Sequence, residues 1–363
     1  MKAYILCIVL VTIINFINEF LLNKKNSKSN IILYLLSLFL ICFIAGSRSI
    51  TVGRDIGTYV IRLANLTTTS NGIIDYLINS NSDFLFALLI YIGYIFKDYH
   101  VLLFVIELAV AFPVYIYAYL NRDKVPYTIT ILIFLLTMFC QSLNVMRQSI
   151  AISLSLLSYY FFNKNDKKKS YLILIVAFLF HKSAFITILI FLFDKVIRRY
   201  KGNILYIILF ILALIAVTPI ASNIIEHTIY SSYVGNTLFM KNFSLGSIVK
   251  RLIFVFMWLL CLSKSKDNNF YKESLIGLLI SIFSLYCTIL SFSIPGMGRL
   301  GYYFYDISCF LIVYKLPFLF KQRKLIYFLV LTLYVILWWN MTAVDNDSSE
   351  VYPYKSDVLN FLN

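Results

Sequence analysis

Apolar runs of about 17 to 20 residues recur from one end of this chain to the other, of which "VLLFVIELAVAFPVYIYAYL" at 101–120 is typical. A helix rises about 1.5 Å per residue, so each run can cross a hydrocarbon core of about 30 Å. Backbone amides cannot stay unpaired in that core, which leaves helical bundles and closed barrels. Barrel strands are half as long and alternate apolar with polar residues, a pattern absent here. The expected fold is an all-α polytopic integral membrane protein. With 61% hydrophobic and 13% charged residues and a mean hydropathy of +0.83, the chain shows no stretch that reads as a soluble domain.

Candidate spans fall at 3–22, 30–46, 84–97, 101–120, 127–143, 146–162, 171–193, 204–222, 248–263, 274–294, 302–317 and 325–341. The first carries Asn15, Asn18 and Glu19 and lacks a small-residue cleavage site, so it reads as a span rather than a secretory signal. Basic clusters lie between spans: Lys24/Lys25/Lys28, Lys164 with Lys167 to Lys169, Lys195/Arg198/Arg199/Lys201, Lys264/Lys266 and Lys321/Arg323/Lys324. The positive-inside bias assigns these to the cytoplasm, which explains a net charge of +15 without a nucleic-acid partner. Segments 47–82, 223–246 and 295–301 then become outer loops of a single transmembrane domain covering 1–363.

Two places break simple alternation. Strong basic clusters flank "SYLILIVAFLFHKSAFITILIFLF", yet only about 23 apolar residues separate them. A hairpin of two half-spans with His181 and Lys182 at its tip keeps both clusters inside and hydrates the ionic pair. Parity between Lys24 and Lys169 demands a second half-span, for which the short run 84–97 is the candidate. The count becomes about 11–13 helices, including one or two half-spanning hairpins. The six cysteines lie in apolar runs without ligand-like spacing, so neither disulfides nor a metal centre is expected, and no cofactor is implied.

Arg48, Arg54, Arg62, Arg147, Lys250, Arg251 and Arg299 sit near non-cytoplasmic ends of spans, against the insertion bias. Only 17 acidic residues face 32 basic ones, so a phosphorylated ligand is the economical partner for these misplaced cations. Arg48, Arg54, Arg147 and Arg299 are the candidates for binding a diphosphate. In "TVGRDIGTY", Gly53 and Gly57 permit a tight excursion around Asp55, which can serve as a general base or as a salt-bridged anchor. Gln148 follows Arg147, Ser183 follows Lys182, and Tyr303 follows Arg299 in "IPGMGRLGYYFYDI".

"AGSRSITVGRDIGTYV", "NVMRQSIAISL", "FLFHKSAF" and "GMGRLGYYF", in this order between spans, resemble the EpsG family of Wzy-type polysaccharide polymerases over roughly residues 30–320. The family pattern falls on Arg48, Gly53, Asp55 and Tyr59, then Arg147 and Gln148, His181 and Ser183, and Arg299 and Tyr303. An acidic residue common before the third span is matched here only by Asp83, with no role assigned. The resemblance implies a multi-pass enzyme of a bacterial cytoplasmic membrane, acting at its outer face. It would join oligosaccharide repeat units carried on undecaprenyl diphosphate, with a flippase and a chain-length regulator as partners. Asp55, His181, Arg147 and Arg299 would be catalytic, with His181 preferred as base and Asp55 as orienter. Tyr59, Gln148, Ser183, Lys182 and Tyr303 would touch substrate, and cationic side chains would replace a metal. A ligase-like glycan transferase shares the donor. A transporter or flippase for lipid-linked oligosaccharide is the reading from another class.

Overall fold

A computed structural model describes residues 1–23, 31–199, 209–210, 245–265, 267–292, 294, 296–344 and 351–359. Every regular element among them is helical. They group into two compact units, Met1–Phe185 with Leu329–Asn363, and Ile186–Phe328. Among the described residues five helices are long and apolar enough to cross a membrane, beginning with Lys2–Leu21 and Tyr99–Asn121.

In the first unit α1 (Lys2–Asn23) and α2 (Ile31–Gly46) pack side by side. Their polarity is inverted relative to a soluble protein: Asn15 and Asn18 are fully buried while Phe16 and Phe20 are exposed. Asn15 Oδ1 accepts a hydrogen bond from Ser37 of α2 (3.1 Å), so this buried amide is paired across the two helices while the apolar side chains face outward. The predicted outer segment 47–82 is ordered. It contains a π-helical turn at Ile56–Val60, then α3 (Ile61–Thr69) and α4 (Ile73–Asn79).

Next comes α5 (Phe84–Gly93), whose 10 residues rise only about 15 Å, half of a hydrocarbon core. The run expected at 84–97 is thus helical over 10 residues, one of the shorter apolar helices among the described residues. A full-length helix, α6 (Tyr99–Asn121), follows, capped by Asp98, which accepts from the amides of His100 (2.6 Å) and Val101 (3.4 Å). Its start packs tightly on the end of α2, because a Cβ at Gly46 would lie 2.8 Å from the His100 carbonyl.

The run expected as one span at 127–143 divides into α7 (Tyr127–Thr137) and a single turn, α8 (Phe139–Ser142). A non-helical link leads into α9 (Met146–Asn163). Inside α6 a carboxylate holds this interruption: Glu107 accepts from the Ser142 hydroxyl at 2.9–3.0 Å. A turn through Asn165 (φ 63°) leads from α9 into α10 (Lys167–Phe180), and Ser158 Oγ donates to the Ser170 carbonyl at 2.7 Å to pin the pair. At His181 the backbone becomes extended (φ −159°, ψ 118°), which ends α10 as the cost of a buried His-Lys pair requires.

A 3₁₀ segment (Lys182–Ile186) follows and closes this part of the first unit; the second unit begins at its last residue and continues into α11 (Thr187–Arg199). With 14 and 13 residues, α10 and α11 each rise about 20 Å, short of a full crossing. Then α12 (Leu245–Lys264), α13 (Asn268–Leu290) and α14 (Met297–Lys315) form an antiparallel trio with short links. The mouth expected as a loop at 295–301 is helical from Met297 onward, so Arg299 stands in the first turn of α14. Last is α15 (Arg323–Trp339), whose residues from Leu329 onward belong to the first unit. Most of the expected span at 204–222 and of the loop at 223–246, and the Lys24/Lys25/Lys28 cluster, lie outside the described residues.

Candidate active site

The site grows from a loop locked onto the break before α9. Gly53 has φ +100°, and a Cβ there would stand 2.4 Å from the Leu143 carbonyl oxygen, so only glycine lets the two backbones meet. Arg48, 1% exposed, donates from Nε to the Val52 carbonyl and from Nη2 to the Leu143 carbonyl, both at 3.4 Å, and from Nη1 to the Ala45 carbonyl. Asn144 Oδ1 accepts from the Arg54 amide at 2.9 Å. The loop and the 143–146 link are therefore one rigid piece. Tyr59, on the π-turn, is carried beneath the first turn of α9.

There Arg147 lies over the Tyr59 ring, with its guanidinium carbon 3.7 Å from the ring centroid. It also donates from Nη1 to Asp83 Oδ2 at 3.2 Å. The same oxygen is 3.0 Å from His181 Nδ1, and Oδ1 accepts from the Lys182 amide at 3.4 Å. Asp83 occupies the cap position of α5 yet makes no capping bond with its side chain; the carboxylate serves the cluster instead. A residue that forgoes its local role in this way marks a functional site.

Burial pushes the Asp83 carboxyl up. The hydrogen bond from His181, the charges of His181 and Arg147 and the Lys182 N–H outweigh that and hold it below the ordinary aspartate range. An ionised carboxylate only accepts, so His181 Nδ1 carries a proton and Nε2 is the ring's other reactive position. The side chains of His181 and Arg147 keep 25% and 14% exposure, which leaves both reachable.

The other predicted residues lie as follows. Arg54 is exposed, Asp55 is buried where the π-turn begins, and Gln148 is buried on α9. Lys182 is exposed and Ser183 half-buried beside His181. Arg48 was assigned to an anionic ligand by charge bias, but its guanidinium is taken up by main-chain carbonyls. Arg62, another cation counted against the bias, likewise donates to the Ser80 carbonyl at 2.8 Å. Arg299 is exposed in the second unit, whereas Tyr303 behind it is fully buried and has no ring face to offer a sugar.

Sequence reasoning passed over Asp83 as the organising group. Its one local signal was a carboxylate immediately before a short apolar run. Among the described residues no group of three His, Cys, Asp or Glu side chains is placed to hold a metal ion. A family model for the EpsG family matches residues 31–356 of the chain. No curated protein and no solved structure matches it.

Proposed function

Because the chain belongs to the EpsG family, which comprises Wzy-like polysaccharide polymerases, we propose that it polymerises oligosaccharide repeat units carried on undecaprenyl diphosphate. The single observation that carries this reading is the Asp83-centred cluster. It sets a guanidinium with free donor positions beside an imidazole whose tautomer is fixed by a carboxylate.

In the proposed reaction the hydroxyl of the acceptor unit attacks the anomeric carbon of the lipid-linked donor chain. The bond from that carbon to the diphosphate oxygen breaks, and the lipid diphosphate leaves with the electron pair. His181 Nε2 accepts the hydroxyl proton, and Asp83 stabilises the imidazolium that results. Arg147 meets the charge growing on the diphosphate through the planar fork of donors not used by Asp83. Its stacking on Tyr59 fixes the plane of that fork before substrate arrives. Lys182 and Ser183 stand beside His181 at the exposed edge of the cluster, Asp55 and Gln148 support it from buried positions, and Arg54 offers a further exposed cation. No metal is assigned a part in this scheme.

Helix length supports an outer-face reaction. With 18 residues α9 rises about 27 Å, nearly a full hydrocarbon core, between Arg147 at its start and the basic cluster from Lys164 to Lys169 beyond its end. If that cluster is cytoplasmic, as the positive-inside bias assigns, the catalytic end opens on the opposite face of a bacterial cytoplasmic membrane.

The test is reconstitution. Purified protein given undecaprenyl-diphosphate oligosaccharide should yield a ladder of products, in chelator as in buffer. Arg147→Ala should abolish the ladder while the protein stays in the membrane. Transfer of one preassembled glycan to a different acceptor, with no ladder, would instead indicate a ligase.

A further inference from the structure

A buried carboxylate of the first unit, Glu107, takes no part in that scheme. It lies on α6 about 12 Å along the helix from its first residue, and only 1% of it is exposed. An acid inside an apolar helix is costly to bury, so its partners indicate what it does there. Both of its oxygens face the Ser142 hydroxyl, at 3.0 and 2.9 Å, and among the described residues it has no other hydrogen-bond donor. The hydroxyl also lies 2.7 Å from the Phe139 carbonyl of its own turn, but the charged oxygens are the stronger acceptors for its single proton.

Ser142 ends α8, five residues before Arg147. Between them runs the link to which Arg48, Gly53 and Asn144 bind the preceding loop. Arg48 is as deeply buried as Glu107, and the two charges act on each other. Main-chain carbonyls offer a guanidinium dipoles but no counter-charge, and Glu107 supplies one. The consecutive residues Ser142 and Leu143 are thereby held by an anion on α6 and a cation on the loop. Because α6 packs against α2, α7 and α9, its carboxylate is a fixed reference for the start of α9.

Arg147 is sensitive to that reference. Its guanidinium has to lie 3.7 Å from the Tyr59 ring centroid and 3.2 Å from Asp83 at once. A misplacement of about 1 Å near a reacting centre can cost about 100-fold in rate. We propose that Glu107 is a positioning residue: acting through Ser142, with Arg48 as its counter-charge, it fixes the break before α9 and so the place of the Arg147 guanidinium over Tyr59. Its effect on turnover rests on the polymerase reading; its effect on Arg147 does not.

The experiment places a fluorinated tyrosine at Tyr59 in the full-length protein in detergent and reads its fluorine resonance, which responds to a cation stacked on the ring. Arg147→Ala supplies the resonance of the unstacked ring. Glu107→Met and Ser142→Ala should each move the parent resonance toward that value, and the double substitution no further than the larger single one, since the pair acts as a unit. In the reconstituted ladder assay the same variants should lower kcat per monodisperse protein by about tenfold or more. KM for the lipid-linked unit should hold, because Arg147 meets charge that develops only as the diphosphate leaves. Should Glu107→Met fail to accumulate for want of Arg48's counter-charge, Glu107→Asp keeps the charge, withdraws it from Ser142 by one methylene and should give a smaller shift. A parent protein that makes no ladder sinks the polymerase reading and leaves the resonance to decide the placement of Arg147. A resonance that stays at the parent position in any variant that accumulates, shifts that add in the double substitution, or a shift with kcat unchanged overturns the proposal.

Discussion

At the scale of single residues, Asp83 decides the chemistry. Replacing it with Asn keeps its size and removes the charge that orients His181 and holds Arg147. Asp83→Asn should lower the polymerisation rate by about 100-fold or more, within the range of a lost acid–base contribution, with the protein still inserted. Its depressed ionisation also fixes a sign. A carboxyl whose folded value lies below the ordinary value of about 4 stabilises the fold above that pH, and the contribution disappears as the pH falls through the lower folded value. Melting temperature measured against pH should therefore fall less steeply below about pH 4 in Asp83→Asn than in the parent. Parallel curves would show that Asp83 is not ionised within the cluster. The glycines flanking Asp55 make a second contrast. Gly53→Ala forces a side chain into a positive φ and against the Leu143 carbonyl, and should cost about 1–3 kcal/mol. Gly57→Ala meets nothing within 4 Å and should melt like the parent.

Elements were legible in the sequence where length alone decides. The short helix α5 and the break at His181 follow from counting apolar residues against membrane thickness and from the cost of a buried ion. What length could not disclose is pairing across the chain. Asp83 meets Arg147 and His181 across 64 and 98 residues, and no local pattern announces that. For the same reason charge bias misjudged Arg48: it identifies an out-of-place cation, but backbone carbonyls answer such a cation as well as a phosphate does. Small residues between helices carry a comparable hidden constraint. Trp258 of α12 lies so close to Gly277 of α13 that an added Cβ would come within 2.4 Å of its indole, while its Nε1 donates to Ser308 of α14. Gly277→Ala should displace the indole, break that bond and lower stability by about 1–3 kcal/mol. Trp258 fluorescence should shift with it; an unchanged spectrum and melting point would show that the trio tolerates the methyl group.

For the whole molecule, the informative contact joins segments far apart in sequence. Residues 351–356 lie across the end of α2 and the loop that follows it. Tyr354 Oη donates to the Ile44 carbonyl (2.8 Å), the Ser49 amide to the Lys355 carbonyl (2.8 Å), Ser356 Oγ to the Ser47 carbonyl (2.5 Å), and Tyr4 Oη to the Val351 carbonyl (2.6 Å). Together they brace the segment that carries Arg48 and leads to Tyr59. Deleting the chain from Val351 onward should leave the helices inserted and reduce product formation; full activity in the truncated protein would show that the loop holds without its brace. The brace also has a meaning in time. Ile44 leaves the ribosome 310 residues before Tyr354 does, so during synthesis the first loop stays unsecured while most of the bundle is inserted. Competence to handle a reactive lipid-linked sugar is thus withheld from the growing polypeptide until the far segment has been translated and docked.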